Sequence, residues 1–112
     1  MVVTTPDLAR TFAALESEGL DLRRTREAGE ARQGFYVVGD AVLEVVGDVG
    51  PPGPARFWGL VAVVRDLDAL AARLGDRLGA PKDAVQPGRR IATVRGAAGL
   101  GVPVAFMTPR AS

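Results

Sequence analysis

The sequence predicts an α+β domain made of two similar βαβββ-like modules. Three observations predict it. The order strand, helix, strand, hairpin occurs twice within 112 residues. Apolar residues recur at helical spacing in two short stretches, one early in each half, and elsewhere alternate with a period of two between glycine turns. The halves also register on each other. A shift of 59 lays Asp7–Leu8 on Asp66–Leu67, Ala13 on Ala72 and Leu15 on Leu74; a shift of 61 lays Ala41, Val42, Leu43, Glu44 and Val45 on Val102, Pro103, Val104, Ala105 and Phe106.

Taken in order, Val2–Val3 reads as the end of a short strand. Thr5 can then cap a helix, Pro6 suits its first turn and Asp7 favours the positive end of its dipole. Leu8, Thr11, Phe12 and Leu15 give one apolar stripe, and Gly19 ends the helix in the left-handed conformation open to glycine. Residues 20–26 read as a strand and Ala28–Gly29–Glu30 as a turn. Residues 33–38 (QGFYVV) and 41–46 (AVLEVV) form a hairpin across Gly39–Asp40. The run GDVGPPGP at 47–54 cannot be helix or central strand and connects the halves. In the second half, 57–64 (FWGLVAVV) reads as a strand buried on both faces. Asp66 starts a helix with a stripe of Leu67, Leu70, Ala71, Leu74 and Leu78, stopped by Gly79–Ala80–Pro81. A short segment at Ala84–Val85 precedes the turn Gln86–Pro87–Gly88. Strands at 90–94 and 102–107 flank a glycine-rich loop at 96–101. One domain follows: module one 1–47, linker 48–56, module two 57–108 and a tail at 109–112.

Composition narrows the function. The chain is 47% hydrophobic and 24% charged with a net charge of +1, ordinary for one packed core. Arg23, Arg24 and Arg26 cluster and Arg89–Arg90 pair, but acidic residues intersperse them, so nucleic acid is not an expected partner. Without cysteine there are no disulfides, thiolate catalysis or cysteine metal sites. Without histidine, the commonest general base and metal ligand are both missing. No signal peptide is evident and the longest apolar run, 60–64, is too short to span a bilayer, so a cytoplasmic location with no membrane association is expected. The loop at 96–101 lacks the helix and lysine of a phosphate loop.

Three segments carry a family likeness: 57–68 (FWGLVAVVRDLD), 41–46 (AVLEVV), and the end of the chain from Gln86 to Met107. With the duplicated order, they make the chain resemble the vicinal-oxygen-chelate superfamily (glyoxalase, bleomycin-resistance protein, dioxygenase), as a glyoxalase-like domain. The resemblance implies mixed, curved sheets around a central cavity with the helices outside, and a homodimer. It also implies metal ligands on the first and last strand of each module. Glu44 matches the closing-strand carboxylate of module one, whereas its module-two counterpart is Ala105. The opening-strand ligand of module two falls on Gly59, and its module-one counterpart falls one residue upstream of Met1, where the first strand reads as clipped. One ligand position of four is therefore filled, and a complete divalent site is not expected.

Glu44 is the foremost candidate, as catalytic residue and as the single matching metal position. Alternation puts it on one face with Val42 and Val46. A carboxylate among valines gains protons more readily than in water and could act as a base near neutral pH. The commoner fate of such a residue is an ion pair with a neighbouring arginine. Arg89 and Arg90 could offer planar forks to an anionic ligand, or be solvated or paired structurally. Gln86 and Gln33 could hydrogen-bond a ligand. Phe57, Trp58, Phe35 and Met107 could line an apolar pocket, with core packing as the ordinary alternative. The leading expectation is a protein that binds a small organic molecule. The alternatives are a lyase, isomerase or epimerase using Glu44, and a non-catalytic interaction domain.

Overall fold

A computed structural model describes residues 1–110; Ala111 and Ser112, the end of the expected tail, lie outside the described residues. The chain divides into two compact units, residues 1–58 and 59–112. In unit one, β1 (Val2–Thr5) leads into α1 (Leu8–Ser17), followed by β2 (Leu22–Ala28), β3 (Ala31–Val38) and β4 (Ala41–Gly47). β2, β3 and β4 form an antiparallel meander, and β1 lies parallel beside β4. The module is thus βαβββ, as the sequence implied.

Asp7 caps α1 by accepting a hydrogen bond from the Arg10 amide, 3.0 Å. Thr5, expected as a cap, instead ends β1. It is fully buried, its hydroxyl accepts from Thr11 at 2.7 Å, and strand pairing with Gly47 claims its backbone. Leu8 packs with Tyr36 and Val45 to form the core of unit one, bordered by Phe12, Leu15, Leu20 and Leu43. Gly34 and Gly47 make room for this helix. A methyl group at Gly34 would run into the Phe12 ring, and one at Gly47 into Leu8. The connection after β4 is anchored by Asp48, whose carboxylate accepts from the Leu8 amide at 3.0 Å. Its φ of 59° is a conformation aspartate tolerates better than most residues.

β5 (Arg56–Val63) begins at the end of unit one and continues into unit two. Then follow α2 (Leu67–Leu74), β6 (Lys82–Asp83), β7 (Arg90–Thr93) and β8 (Val104–Met107). β6, β7 and β8 are antiparallel, and β5 runs parallel beside β8. This repeats the plan of unit one. The repeat holds at the level of register: Val2 lies across from Glu44, and shifts of 59 and 61 carry that pair onto Val61 and Ala105, which also lie across from each other.

Some expectations are corrected here. α2 ends at Leu74 rather than running to Leu78, because Gly75 takes φ 55° and Gly75–Arg77 tightens into a 3₁₀ turn. Leu78 still reaches the core of unit two, with Leu67 and Ala92, from beyond the helix. β5 is not buried on both faces: Phe57, Trp58, Leu60 and Val63 are between 41% and 59% exposed, and only Gly59 of this strand is buried. The short segment at Ala84–Val85 follows directly on the two-residue strand β6, and Val85 is exposed. Among the described residues no helix is long and apolar enough to cross a membrane.

Candidate functional site

The sheet of unit one has two unlike faces. Leu43, Val45, Gly34 and Tyr36 lie on the face toward α1, so alternation sends Glu44, Val42 and Val46 to the opposite face. Strand register then builds two rows across that face. Arg24, Phe35, Glu44 and Val2 form one, and Arg26, Gln33, Val46 and Thr4 the other. The register of β2 shifts between Leu22 and Arg24, so Arg23 is the extra residue. That bulge brings Arg24 and Arg26 onto the Glu44 face.

Side-chain contacts link the rows. Gln33 donates from Nε2 to Glu44 Oε1 at 2.7 Å. The other end of that amide, Oε1, is buried and has no hydrogen-bond partner among the described residues. Such an orphan costs about 1–3 kcal/mol, so a ligand donor here would relieve a standing penalty. The Arg24 guanidinium lies 4.6 Å from the centre of the Phe35 ring, and Phe35 itself is buried. Burial raises the Glu44 carboxyl above the ordinary glutamate range. The chain's amino terminus, Arg26 and the Gln33 hydrogen bond oppose that rise without overcoming it.

Arg26 and Arg24 are functional candidates that sequence reasoning passed over. The signal was present, since the two residues share a parity on one strand, but the pairing that puts them on the Glu44 face depends on the bulge at Arg23.

The remaining sequence candidates are placed elsewhere. Arg90 forks onto Asp68 at 3.0 and 3.1 Å, an exposed surface pair rather than a partner of Glu44. Arg89 donates to the Thr108 carbonyl at 2.9 Å and to Gln86 Oε1 at 3.2 Å, so these two candidates hold their own turn together. Burial, and then Arg110, weaken the hold of Arg89 on its proton. Met107 is half-buried between Val63 and Ile91. Phe57 and Trp58 are exposed on β5.

The positions that would hold a divalent metal do not fit one. A side chain at Gly59 would collide with the backbone carbonyl and ring of Pro103, so that position is closed to any ligand. Ala105 is buried and offers a methyl group. Among the described residues no group of three or more His, Cys, Asp or Glu side chains could hold a metal ion. Glu44 alone is too few donors.

No family model matches the chain, and no curated protein matches it in sequence. Solved structures do match in fold. Methylmalonyl-CoA epimerase from Mycobacterium tuberculosis superposes with a TM-score of 0.76 at 17% identity, covering 98% of this chain and 85% of that one. A hypothetical protein from Bacillus halodurans C-125 gives 0.80 at 11% identity, covering 99% and 92%. A glutamate-to-glutamine variant of Streptomyces coelicolor methylmalonyl-CoA epimerase, in complex with 2-nitronate-propionyl-CoA, gives 0.77 at 19% identity, covering 98% and 94%. The chain therefore has the α+β fold of two βαβββ modules shared by these epimerases.

Proposed function

We propose that this chain is a proton-transfer enzyme of the isomerase or epimerase kind, with Glu44 as its base, rather than a binding protein alone. The observation that carries the reading is the Glu44–Gln33 pair: a half-buried carboxyl whose proton affinity is raised, next to a buried amide oxygen without a partner. A carboxyl tuned upward by burial is suited to take a proton near neutral pH and give it back. In the proposed step the bond between the substrate's α-carbon and its hydrogen breaks, and the proton moves to Glu44. The electron pair shifts onto the adjacent carbonyl oxygen, giving an enolate. Arg26, half-buried on the same face, offers a guanidinium to that oxygen or to a carboxylate of the substrate. The enolate then turns over in the site and takes the proton back from Glu44 on its opposite face, which inverts the α-carbon and restores the carboxylate. With Ala105 at the counterpart of Glu44, this is one-base chemistry, and no step runs through a metal.

Support for the reaction class comes from the fold neighbours, among them a methylmalonyl-CoA epimerase in complex with methylmalonyl-CoA. The substrate class proposed is a small carbonyl compound with an acidified α-hydrogen, such as a 2-carboxyacyl thioester. Binding without turnover is the second reading, and the closed Gly59 position and the Ala105 methyl group favour it.

Solvent exchange separates the two. In D₂O, the intact protein should wash deuterium into the α-position of methylmalonyl-CoA, or of a methylglyoxal–thiol adduct, well above the buffer rate. Glu44→Gln should lower that rate by about 10²–10⁴-fold. Binding of either compound with no exchange above buffer would leave the binding reading in its place.

A further inference from the structure

A recess opens on the side of the unit-one sheet away from Glu44, beneath the C-terminal half of α1. Its volume is about 370 Å³. Phe12 and Tyr36 form an aromatic floor, their rings edge to face with centroids 6.0 Å apart. Leu20 and Leu22 continue the apolar wall, and Glu16 and Asp21 supply the only charges. Neither carboxylate makes an ion pair among the described residues. α1 has no basic residue in its last turn, so the negative end of its dipole adds to theirs. Tyr36 is 1% exposed and lines the recess, and burial, then the Glu16 carboxylate, tighten the hold of its phenol on the proton.

We propose that this recess binds a small organic ammonium ion carrying an apolar body. The carboxylates and the helix terminus attract the cation, the aromatic floor and leucines take the apolar body, and the Tyr36 hydroxyl accepts an N–H bond from the ammonium. A free metal cation would use the carboxylates but not the floor. An anion would be repelled by every charge that lines the recess. The site is separate from Glu44, because Tyr36 and Glu44 lie on opposite faces of the sheet, and it does not depend on the proposed reaction.

The test uses 2-phenylethylammonium chloride as probe and neutral 2-phenylethanol as its control. The readout is the ring proton resonances of Tyr36, the only tyrosine of the chain. The ammonium ion should shift these signals saturably, with 2-phenylethanol at least tenfold weaker. The double variant Glu16→Gln, Asp21→Asn should weaken ammonium binding at least tenfold. Tyr36→Phe, which keeps the ring and so the core, should weaken it severalfold, read there on the Phe12 signals. Equal affinity for the alcohol, the absence of saturation, or a double variant that binds like the parent would each overturn the proposal. Deuterium exchange at the Glu44 face should be unchanged in the double variant.

Discussion

A single residue, Glu44, carries both a chemical advantage and a stability cost. Its carboxyl holds a proton more tightly when folded than when unfolded, chiefly through burial. The native state therefore binds more protons than the unfolded state between the two proton affinities, and stability falls as pH rises through that window. Below the ordinary glutamate range the cost is absent; above the raised folded value it is fully present. Glu44→Gln, which keeps the size and the polar contacts but cannot ionise, should raise the melting temperature at pH 8 and change it little at pH 4. Thermal unfolding of both proteins at those two pH values checks this, and an equal shift at both would show that ionisation is not the cause. That Glu44 faces away from α1 was legible in AVLEVV, where alternation alone puts Leu43 and Val45 on one side and Glu44 on the other. Its partners were not legible to the same degree. Gln33 was among the candidates, but Arg24 and Arg26 reach this face through a bulge whose position depends on how β2 packs against β3.

Among the elements, α1 is held by shape at two points that sequence pattern does not display. Gly47 closes β4 directly beneath Leu8, where any Cβ would collide with the start of that side chain rather than with a mobile tip. Gly47→Ala should therefore destabilise the fold by about 1–3 kcal/mol, the usual cost of overpacking. Chemical denaturation measures it, and a neutral result would mean that α1 can slide off its strand at no cost. The periodicity of Leu8, Thr11, Phe12 and Leu15 announced the helix, and Asp7 and Asp66 announced both starts. Ends were harder to read. Gly79–Ala80–Pro81 carries the strongest stop signal, yet α2 ends earlier, at Leu74, and the 3₁₀ turn at Gly75–Arg77 still delivers Leu78 to the core. β5 reads as a buried strand because it is rich in apolar residues, but composition does not say which of its side chains find partners.

Over the whole molecule, the duplication was legible and the division of labour between its halves was legible in part. The shifts of 59 and 61 that align the halves in sequence also align their strand registers, so Glu44 and Ala105 occupy equivalent places. One module holds a carboxylate there and the other a methyl group. The sequence showed that loss of symmetry, but not its steric companion: Pro103 fills the space that a ligand at Gly59 would need. A proline so far along the chain from its contact leaves no local pattern. The recess under α1 was equally hidden, because Phe12 read as part of a helix stripe and Asp21 and Tyr36 as parts of two separate strands.

The central claim is that Glu44 is a carboxyl tuned upward for proton transfer on the face it shares with Gln33 and Arg26. Its most direct test is titration of the Glu44 side-chain carboxyl by ¹³C NMR in the intact protein, beside the Gln33→Ala variant. Glu44 should titrate above the ordinary glutamate range. It should titrate higher still in the variant, because the hydrogen bond from Gln33 favours the charged form. An ordinary or lowered value in the parent protein would contradict the account and leave Glu44 a surface carboxylate with a structural partner.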